Sequence, residues 1–194
     1  MKRVMLVFLV LGFVGCGPSL SVKDLPPDRN ELGYQPEARK VVIYQMMTRL
    51  FANTNTNRIF YGSKEENGVG KFNDITDTAL QALKELGVDY VWYTGLIAHA
   101  SMEDFTKYGI PLDDPDVVKG RAGSPYAIRD YYDVAPVLAV DVAKRLDEFR
   151  ALVNRTHKNG LKVIIDFVPN HVARGYRSMM KPKGVKDLGE GDNT

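Results

Sequence analysis

Residues 161–171 read LKVIIDFVPNH, an apolar run that passes into the polar side chains of Asp166, Asn170 and His171. The apolar side chains fall on both faces of an extended chain, which is typical of a strand buried on both sides in a parallel sheet. A carboxylate in such a place is costly to bury unless it faces a polar mouth or has a partner. The stretch therefore predicts a strand over residues 161–168 with functional groups towards its carboxyl end.

Two earlier segments, residues 41–46 and 88–93, have the same apolar and β-branched character and predict two more strands. The stretches between the strands place apolar side chains on one helical face, and they predict helices over residues 74–86 and 141–158. Asp74 or Thr76 is expected to cap the first helix, Gly87 to end it, and Asn159-Gly160 to end the second. The predicted order is β-α-β-α-β.

The predicted connections differ in length according to the edge of the sheet on which they lie. Long polar segments follow the strands, at residues 53–71 and 94–139, whereas the connections after the helices are minimal. This asymmetry predicts an α/β fold with a parallel sheet whose function lies at the carboxyl ends of the strands. A (β/α)8 barrel and an open doubly wound sheet both satisfy it, and no strand is followed by a dinucleotide-binding glycine fingerprint.

The composition is that of a globular protein: 194 residues, 44% of them apolar, with 26 basic and 24 acidic side chains. Without Lys2 and Arg3, which lie in a predicted signal peptide, the basic and acidic side chains are equal in number. The charge balance therefore does not favour a nucleic-acid partner. The single cysteine excludes an internal disulfide.

The first residues indicate export. Lys2 and Arg3 precede an apolar run over residues 4–14 that is too short to span a bilayer about 30 Å thick and that ends at Gly15-Cys16. The pattern resembles a bacterial lipoprotein signal and predicts a signal peptide over residues 1–15, lipidation of Cys16 and a Pro- and Gly-containing tether over residues 16–39. An ordinary secretory peptide with an incidental cysteine is the alternative. By the same resemblance, the cell envelope, and within it the outer membrane, is the expected location.

The segment from Asp166 to His171, DFVPNH, resembles the first signature of the α-amylase family of glycoside hydrolases, D-x-V-x-N-H, at the end of the third barrel strand. The resemblance covers residues 40–194 and implies the N-terminal part, β1-α1-β2-α2-β3, of a (β/α)8 TIM barrel. It also implies retaining hydrolysis of α-glucans such as starch or maltodextrin by an exported lipoprotein. Further similarity lies in the segments 41–51, 66–72, 91–95 and 124–131.

The resemblance implies roles for four residues. Asp166 would orient the active site through an arginine beside the nucleophile, and His171 would donate a hydrogen bond to a sugar hydroxyl. Tyr126 would pack against the apolar face of the sugar ring, and Asn170 would bind a structural calcium ion through its amide oxygen. The alternatives are a turn-capping carboxylate, a structural histidine and a buried tyrosine.

Several neighbouring residues have plainer interpretations. Asp130 and Tyr131 are expected to brace the loop of Tyr126. Trp92 is expected to pack inside the barrel, whereas Tyr93 at the strand end is a candidate for approaching a sugar. The alternating residues Asn53, Asn55 and Asn57 resemble EF-hand ligands, but they lack carboxylates and are interpreted as a polar loop.

Retaining hydrolysis requires a nucleophilic carboxylate and a carboxylic acid about 5–5.5 Å apart. In the family these come from the fourth and fifth strands, whereas this chain stops in the loop after the third. We therefore expect an N-terminal portion of the enzyme, with open strand edges and no activity of its own. A non-catalytic glucan-binding lipoprotein and a truncated inactive product remain alternatives, and the linkage, the substrate length and the choice between hydrolysis and transglycosylation are left open.

Overall fold

The computed structural model describes residues 40–191. The predicted signal peptide (1–15), Cys16 and the remaining tether (16–39) lie outside the described residues. None of the helices in the described part has both the length and the apolar character needed to cross a membrane. In chain order the elements are β1 Ile43–Met47, α1 Thr48–Phe51, α2 Lys64–Asn67, α3 Asp77–Glu85, β2 Tyr90–Thr94, β3 Ile97–His99, β4 Ile128–Val134, α4 Arg145–Lys158 and β5 Lys162–Ile165.

The principal sheet contains three parallel strands in the order β1-β2-β5. Met47 at the end of β1 lies opposite Thr94 at the end of β2. Tyr93 in turn lies opposite Ile165 at the end of β5. The three carboxyl ends therefore lie along one edge of the sheet, and the predicted β-α-β-α-β order with parallel strands is confirmed.

The hydrophobic core lies on one face of this sheet. Met46, Val91 and Tyr93 are at most 1% exposed and cluster with Leu80 of α3 and Leu152 of α4. Both long helices thus cover the same face of strands that follow one another in sequence order, which is the arrangement of a barrel wall and not of a doubly wound sheet. The opposite face carries the side chains of Gln45, Trp92 and Ile164, none of which belongs to this core.

The helices largely begin and end at the capping and terminating residues that the sequence predicted. Thr76 caps α3, its hydroxyl accepting the N–H of Ala79 at 3.3 Å. Asp74 instead closes a preceding turn of 3-10 helix. Gly87 and Gly160, which follow α3 and α4, have φ of +84° and +71°, a left-handed conformation that glycine adopts without strain.

Several predicted boundaries were wrong, and the first helix, predicted over residues 74–86, is Asp77–Glu85. The third predicted strand, residues 161–168, ends at Ile165, because its last paired residue in β2 is Tyr93. The second predicted helix begins at Arg145 and not at Asp141, because residues 142–144 form a turn of 3-10 helix that Asp141 caps. As a result Asp166 lies just beyond the strand and not within it.

The segment 94–139, predicted as a long loop, contains the antiparallel pair β3 and β4. Strand β4 was missed because its sequence, IRDYYDV, carries charged side chains at positions that are buried in the structure. Arg129 pairs with Asp113 at 2.9 Å and Asp133 pairs with Arg145 at 2.7 Å, so the buried charges are neutralised. The charged side chains of β4 therefore did not indicate that the strand is exposed.

The pair of Asp133 and Arg145 joins β4 to the start of α4. The guanidinium donates to both carboxylate oxygens of Asp133 at 2.7–2.9 Å, and its Nη1 donates to the carbonyl of Val142 at 2.9 Å. Both side chains are less than a tenth exposed. Removing one partner would leave the other charge buried without compensation.

We expect Asp133→Ala to lower the free energy of unfolding by about 3–5 kcal/mol, the cost of breaking a buried ion pair. Urea unfolding followed by the emission of Trp92, the chain's single tryptophan, measures this change. Asp147→Ala is the matched control, because Asp147 pairs with Arg150 on the exposed surface of the same helix. Its cost is expected to be about 0–1 kcal/mol, and equal losses in the two variants would contradict the assignment.

Candidate functional site

Asp166 lies at the carboxyl edge of the parallel sheet, one residue beyond β5. Its Oδ1 accepts a hydrogen bond from the indole Nε1 of Trp92 at 2.5 Å, across to the neighbouring strand. Its Oδ2 is buried and has no hydrogen-bond partner within residues 40–191. A buried carboxylate oxygen without a donor is costly, so Asp166 retains the capacity to accept a hydrogen bond from a further donor.

The face of the sheet that leads to Asp166 is polar near its carboxyl edge. Gln45 of β1 donates from Nε2 to the hydroxyl of Thr94 in β2 at 3.0 Å. Trp92 and Thr94 project from this same face because they are two residues apart in one strand. Trp92 was expected to pack in the barrel, and its hydrogen bond to Asp166 was not predicted.

Tyr93, a candidate for approaching a sugar, was assigned wrongly. It projects to the helix-covered face, is fully buried, and its hydroxyl lies 2.7 Å from that of Thr156 in α4. Burial raises the pKa of Tyr93 above its ordinary value. Its position follows from the alternation of side chains in β2, which sends Trp92 and Tyr93 to opposite faces.

The residues after β5 line a concavity of about 620 Å³. Asn170 and His171 are both exposed in it, and the Nδ2 of Asn170 lies 3.2 Å from the Nδ1 of His171. The structure therefore brings these two predicted site residues together, beside the segment that starts at Asp166. The other lining residues are Tyr131, Tyr132, Phe167, Pro169, Val172, Tyr176, Lys186, Asp187 and Leu188.

Aromatic rings form a large part of this concavity. The ring of Tyr131 lies 5.6 Å from that of Phe167 and 5.8 Å from that of Tyr176. The hydroxyl of Tyr131 donates to the carbonyl of Val168, and burial raises the pKa of this tyrosine. Phe167 is 70% exposed and offers a flat apolar surface.

Asp130 and Asp187 stabilise the loop around the concavity. Asp130, which is buried, accepts backbone hydrogen bonds from Met179 at 2.6 Å and Met180 at 3.2 Å. Burial opposes the ionisation of Asp187, but the backbone N–H of Ser178 and other donors outweigh it and hold the pKa of Asp187 below its ordinary value. Asp130 and Tyr131 thus brace the segment after β5, whereas they were expected to brace the loop of Tyr126.

Tyr126 lies apart from this concavity. It is 46% exposed, in the loop before β4, and is not among the lining residues of the concavity. Its neighbour Pro125 packs over Gly95, where an added Cβ would lie 3.4 Å from the Cβ of Pro125. The loop therefore approaches the end of β2, but residues 40–191 do not place Tyr126 and His171 in one pocket, and a shared sugar contact stays a prediction.

Calcium was predicted at Asn170. A calcium ion takes six to eight oxygen ligands, and Asn170 supplies one amide oxygen. Within residues 40–191 no three His, Cys, Asp or Glu side chains form a group suited to a metal ion. The described residues alone therefore do not fit the ion.

The alternating asparagines form a structural loop. The side-chain amides of Asn53, Asn55 and Asn57 donate to the backbone carbonyls of Glu66 and Asn67 at 2.9–3.1 Å. The oxygens of Asn53 and Asn55 accept the N–H groups two residues ahead at 3.1 and 2.7 Å. These bonds support the interpretation of a polar loop.

Comparison with known proteins gives the family. Residues 45–187 match the family described as "Alpha amylase, catalytic domain". The chain belongs to the α-amylase family. The catalytic domain of this family is a (β/α)8 barrel, and the three parallel strands with helices on one face agree with the first part of such a barrel.

Members of the family have similar sequences. Trehalose-6-phosphate hydrolase of Bacillus subtilis is 30% identical over 73% of the chain and 19% of that protein. Oligo-1,6-glucosidase of Heyndrickxia coagulans is 26% identical over 77% of the chain and 20% of that protein. An α-amylase structure from Lactobacillus plantarum gives a TM-score of 0.48 at 28% identity, covering 72% of this chain and 24% of that one. The chain thus spans about a fifth of the length of these curated relatives.

We expect Trp92→Phe to destabilise the protein by about 1–3 kcal/mol, because Asp166, whose Oδ2 is already buried without a partner among the described residues, loses the donor to its Oδ1. His171→Ala is the comparison, since the exposed imidazole should change the unfolding free energy by no more than about 0.5 kcal/mol. Urea unfolding monitored by far-UV circular dichroism measures both variants without relying on tryptophan. A Trp92→Phe variant as stable as the parent would show that the hydrogen bond is unimportant.

Proposed function

We propose that the protein is a retaining glycoside hydrolase acting on α-glucans such as starch or maltodextrin. The observation that carries the proposal is the concavity of about 620 Å³ that Asn170 and His171 line, in the segment that follows β5 and Asp166. Relatives named trehalose-6-phosphate hydrolase and oligo-1,6-glucosidase support a glycosidase activity.

In this proposal the sugar is held by complementary surfaces. A neutral imidazole has one donor and one acceptor nitrogen, so His171 can either donate a hydrogen bond to a sugar hydroxyl or accept one from it. The apolar C–H face of a pyranose packs on aromatic rings, for which Phe167 offers an exposed surface within the concavity. Tyr126 would provide a second ring from the neighbouring loop.

Asp166 acts in the proposal as a positioning residue. Trp92 holds one of its oxygens, and the second oxygen is buried and unpaired within the described part. An arginine beside the nucleophile would satisfy that second oxygen, as the family resemblance implies. The nucleophile and the acid would come from later strands, so we propose that the chain alone does not cleave glucans.

A second candidate function is glucan binding without cleavage. The single carboxylate lining the described concavity belongs to Asp187, and both of its oxygens accept backbone hydrogen bonds, from Ser178 at 2.7 Å and Leu188 at 3.1 Å. A carboxylate used in this way is poorly placed to act as a nucleophile. Here too His171 and the aromatic rings would hold the sugar.

Calcium at Asn170 is kept as part of the proposal for the whole protein. The ion would be held by the amide oxygen of Asn170 together with oxygen ligands outside the described residues, and it would fix the loop of Asn170 relative to them. No step of the reaction is assigned to it.

We expect the purified chain to bind maltoheptaose and to release no reducing ends from it. His171→Ala and Tyr126→Ala should each weaken binding by about three- to tenfold, the range for one aromatic contact or hydrogen bond. Isothermal titration calorimetry measures binding and a reducing-end assay measures cleavage. Leu86→Ala, an exposed apolar change beyond α3 at the opposite edge of the sheet, is the matched control.

The outcomes separate the alternatives. Release of reducing ends by the chain would overturn its proposed inactivity. Binding that His171→Ala and Tyr126→Ala leave unchanged would remove the proposed sugar site. No binding at all would favour the truncated, inactive product.

Membrane anchoring through Cys16 is also proposed, from the sequence alone. Cys16→Ala should abolish incorporation of labelled palmitate in a bacterial host and move the protein from the membrane fraction to the soluble fraction, because the multi-acyl anchor is lost. Ser19→Ala, three residues away, is the control and should keep both properties. Labelled, membrane-bound Cys16→Ala protein would contradict lipidation at this position.

A further inference from the structure

A second concavity, of about 490 Å³, lies between the loop after β1 and the segment 119–122. Four of its lining residues are cationic, Arg49, Arg58, Lys119 and Arg121, and none is a carboxylate. Asparagine amides and aromatic rings make up much of the remainder. The other lining residues are Leu50, Asn53, Asn55, Asn57, Phe60, Tyr61, Gly62, Asn67, Gly68, Gly120 and Ala122.

The positive charge of this concavity is only partly compensated by its surroundings. Burial lowers the pKa of Arg49, and the attraction of Glu103 opposes that change. Glu103 is itself paired with Lys64 at 2.9 Å. Lys64 also pairs with Glu65 at 2.9 Å, so the two carboxylates together balance Lys64 and Arg49. The excess of positive charge at the concavity comes from its other three cations, Arg58, Lys119 and Arg121.

Two of the cations have donor nitrogens without acceptors. Nη1 of Arg49 and Nε of Arg121 are both buried and have no hydrogen-bond partner in the part of the chain that the structure describes. Buried guanidinium nitrogens are normally paired, because leaving them unpaired is costly. A tetrahedral oxyanion is a suitable acceptor, since guanidinium groups match its oxygens in geometry and charge.

An unusual backbone conformation places an aromatic ring at the same concavity. Tyr61 has φ of +58°, the only positive φ of a residue other than glycine among residues 40–191. Its hydroxyl lies 2.9 Å from the Sδ of Met102, and the guanidinium of Arg121 lies over its ring at 5.9 Å. Phe60 beside it is 97% exposed. Conformations of this kind cost free energy and cluster at ligand sites.

We propose that this concavity binds a sugar phosphate. The phosphomonoester accepts hydrogen bonds from Arg49 and Arg121, with Arg58 and Lys119 adding charge at the exposed rim. The sugar ring packs on Tyr61, whose ring lies 5.9 Å from the guanidinium of Arg121. The site is distinct from the concavity of His171, and binding here does not depend on glucan cleavage.

The test is calorimetric titration of the full chain with glucose 6-phosphate, inorganic phosphate and glucose. We expect glucose 6-phosphate to bind more tightly than inorganic phosphate, because the ring adds a contact, and glucose to bind most weakly. Arg58→Gln and Lys119→Gln should each weaken glucose 6-phosphate binding by about two- to fivefold, as expected of an exposed ion pair. Raising the salt concentration should weaken it further.

Arg150→Gln removes an exposed charge from α4 and is the matched control, expected to leave binding unchanged. Both rim variants alter exposed side chains, and circular dichroism verifies that each retains its fold. Absence of glucose 6-phosphate binding would overturn the proposal. So would binding that neither rim variant weakens, or glucose binding as tight as that of its phosphate.

Discussion

Parallel pairing of β1, β2 and β5 is the constraint on which the rest of the structure depends. Parallel strands cannot be joined by tight turns, so each must be followed by a long crossover, and the crossovers here carry α3 and α4 onto one face of the sheet. The same pairing puts the three carboxyl ends along one edge. The hydrogen bond from Trp92 to Asp166 then links two of those ends, so the first residue of the signature segment is positioned by the sheet itself.

The parts of the fold that bury apolar side chains on a regular period were predictable. Strand β2 and helix α4 are examples, because their apolar residues pack into one core. Strand β4 was not predictable, since Arg129 and Asp133 are buried only by virtue of partners that are distant in sequence or in another element. The end of β5 at Ile165 was equally hidden, because the length of its neighbour sets it and not its own apolar sequence.

The candidate site likewise has a part that the sequence predicted and a part that it did not. The motif alone located Asn170 and His171, which the structure places together in one concavity. The contact of Trp92 with Asp166 depends on the register between two strands. The sequence of one strand does not specify that register. The period of two in β2 could have shown that Trp92 and Tyr93 face opposite sides, but which side holds the helices follows only from the three-dimensional packing.

The two concavities differ in chemistry but share an origin in the loops that follow strands. One is lined mainly by the segment after β5 and presents aromatic rings and a histidine, whereas the other is lined by the segment after β1 and the loop between β3 and β4 and presents four cations. The connections after α3 and α4 leave no comparable room, since Gly87 and Gly160 turn the chain directly into the next strand. The long connections that follow the parallel strands supply the lining residues of both concavities, so both proposed sites depend on loops and leave the sheet unchanged.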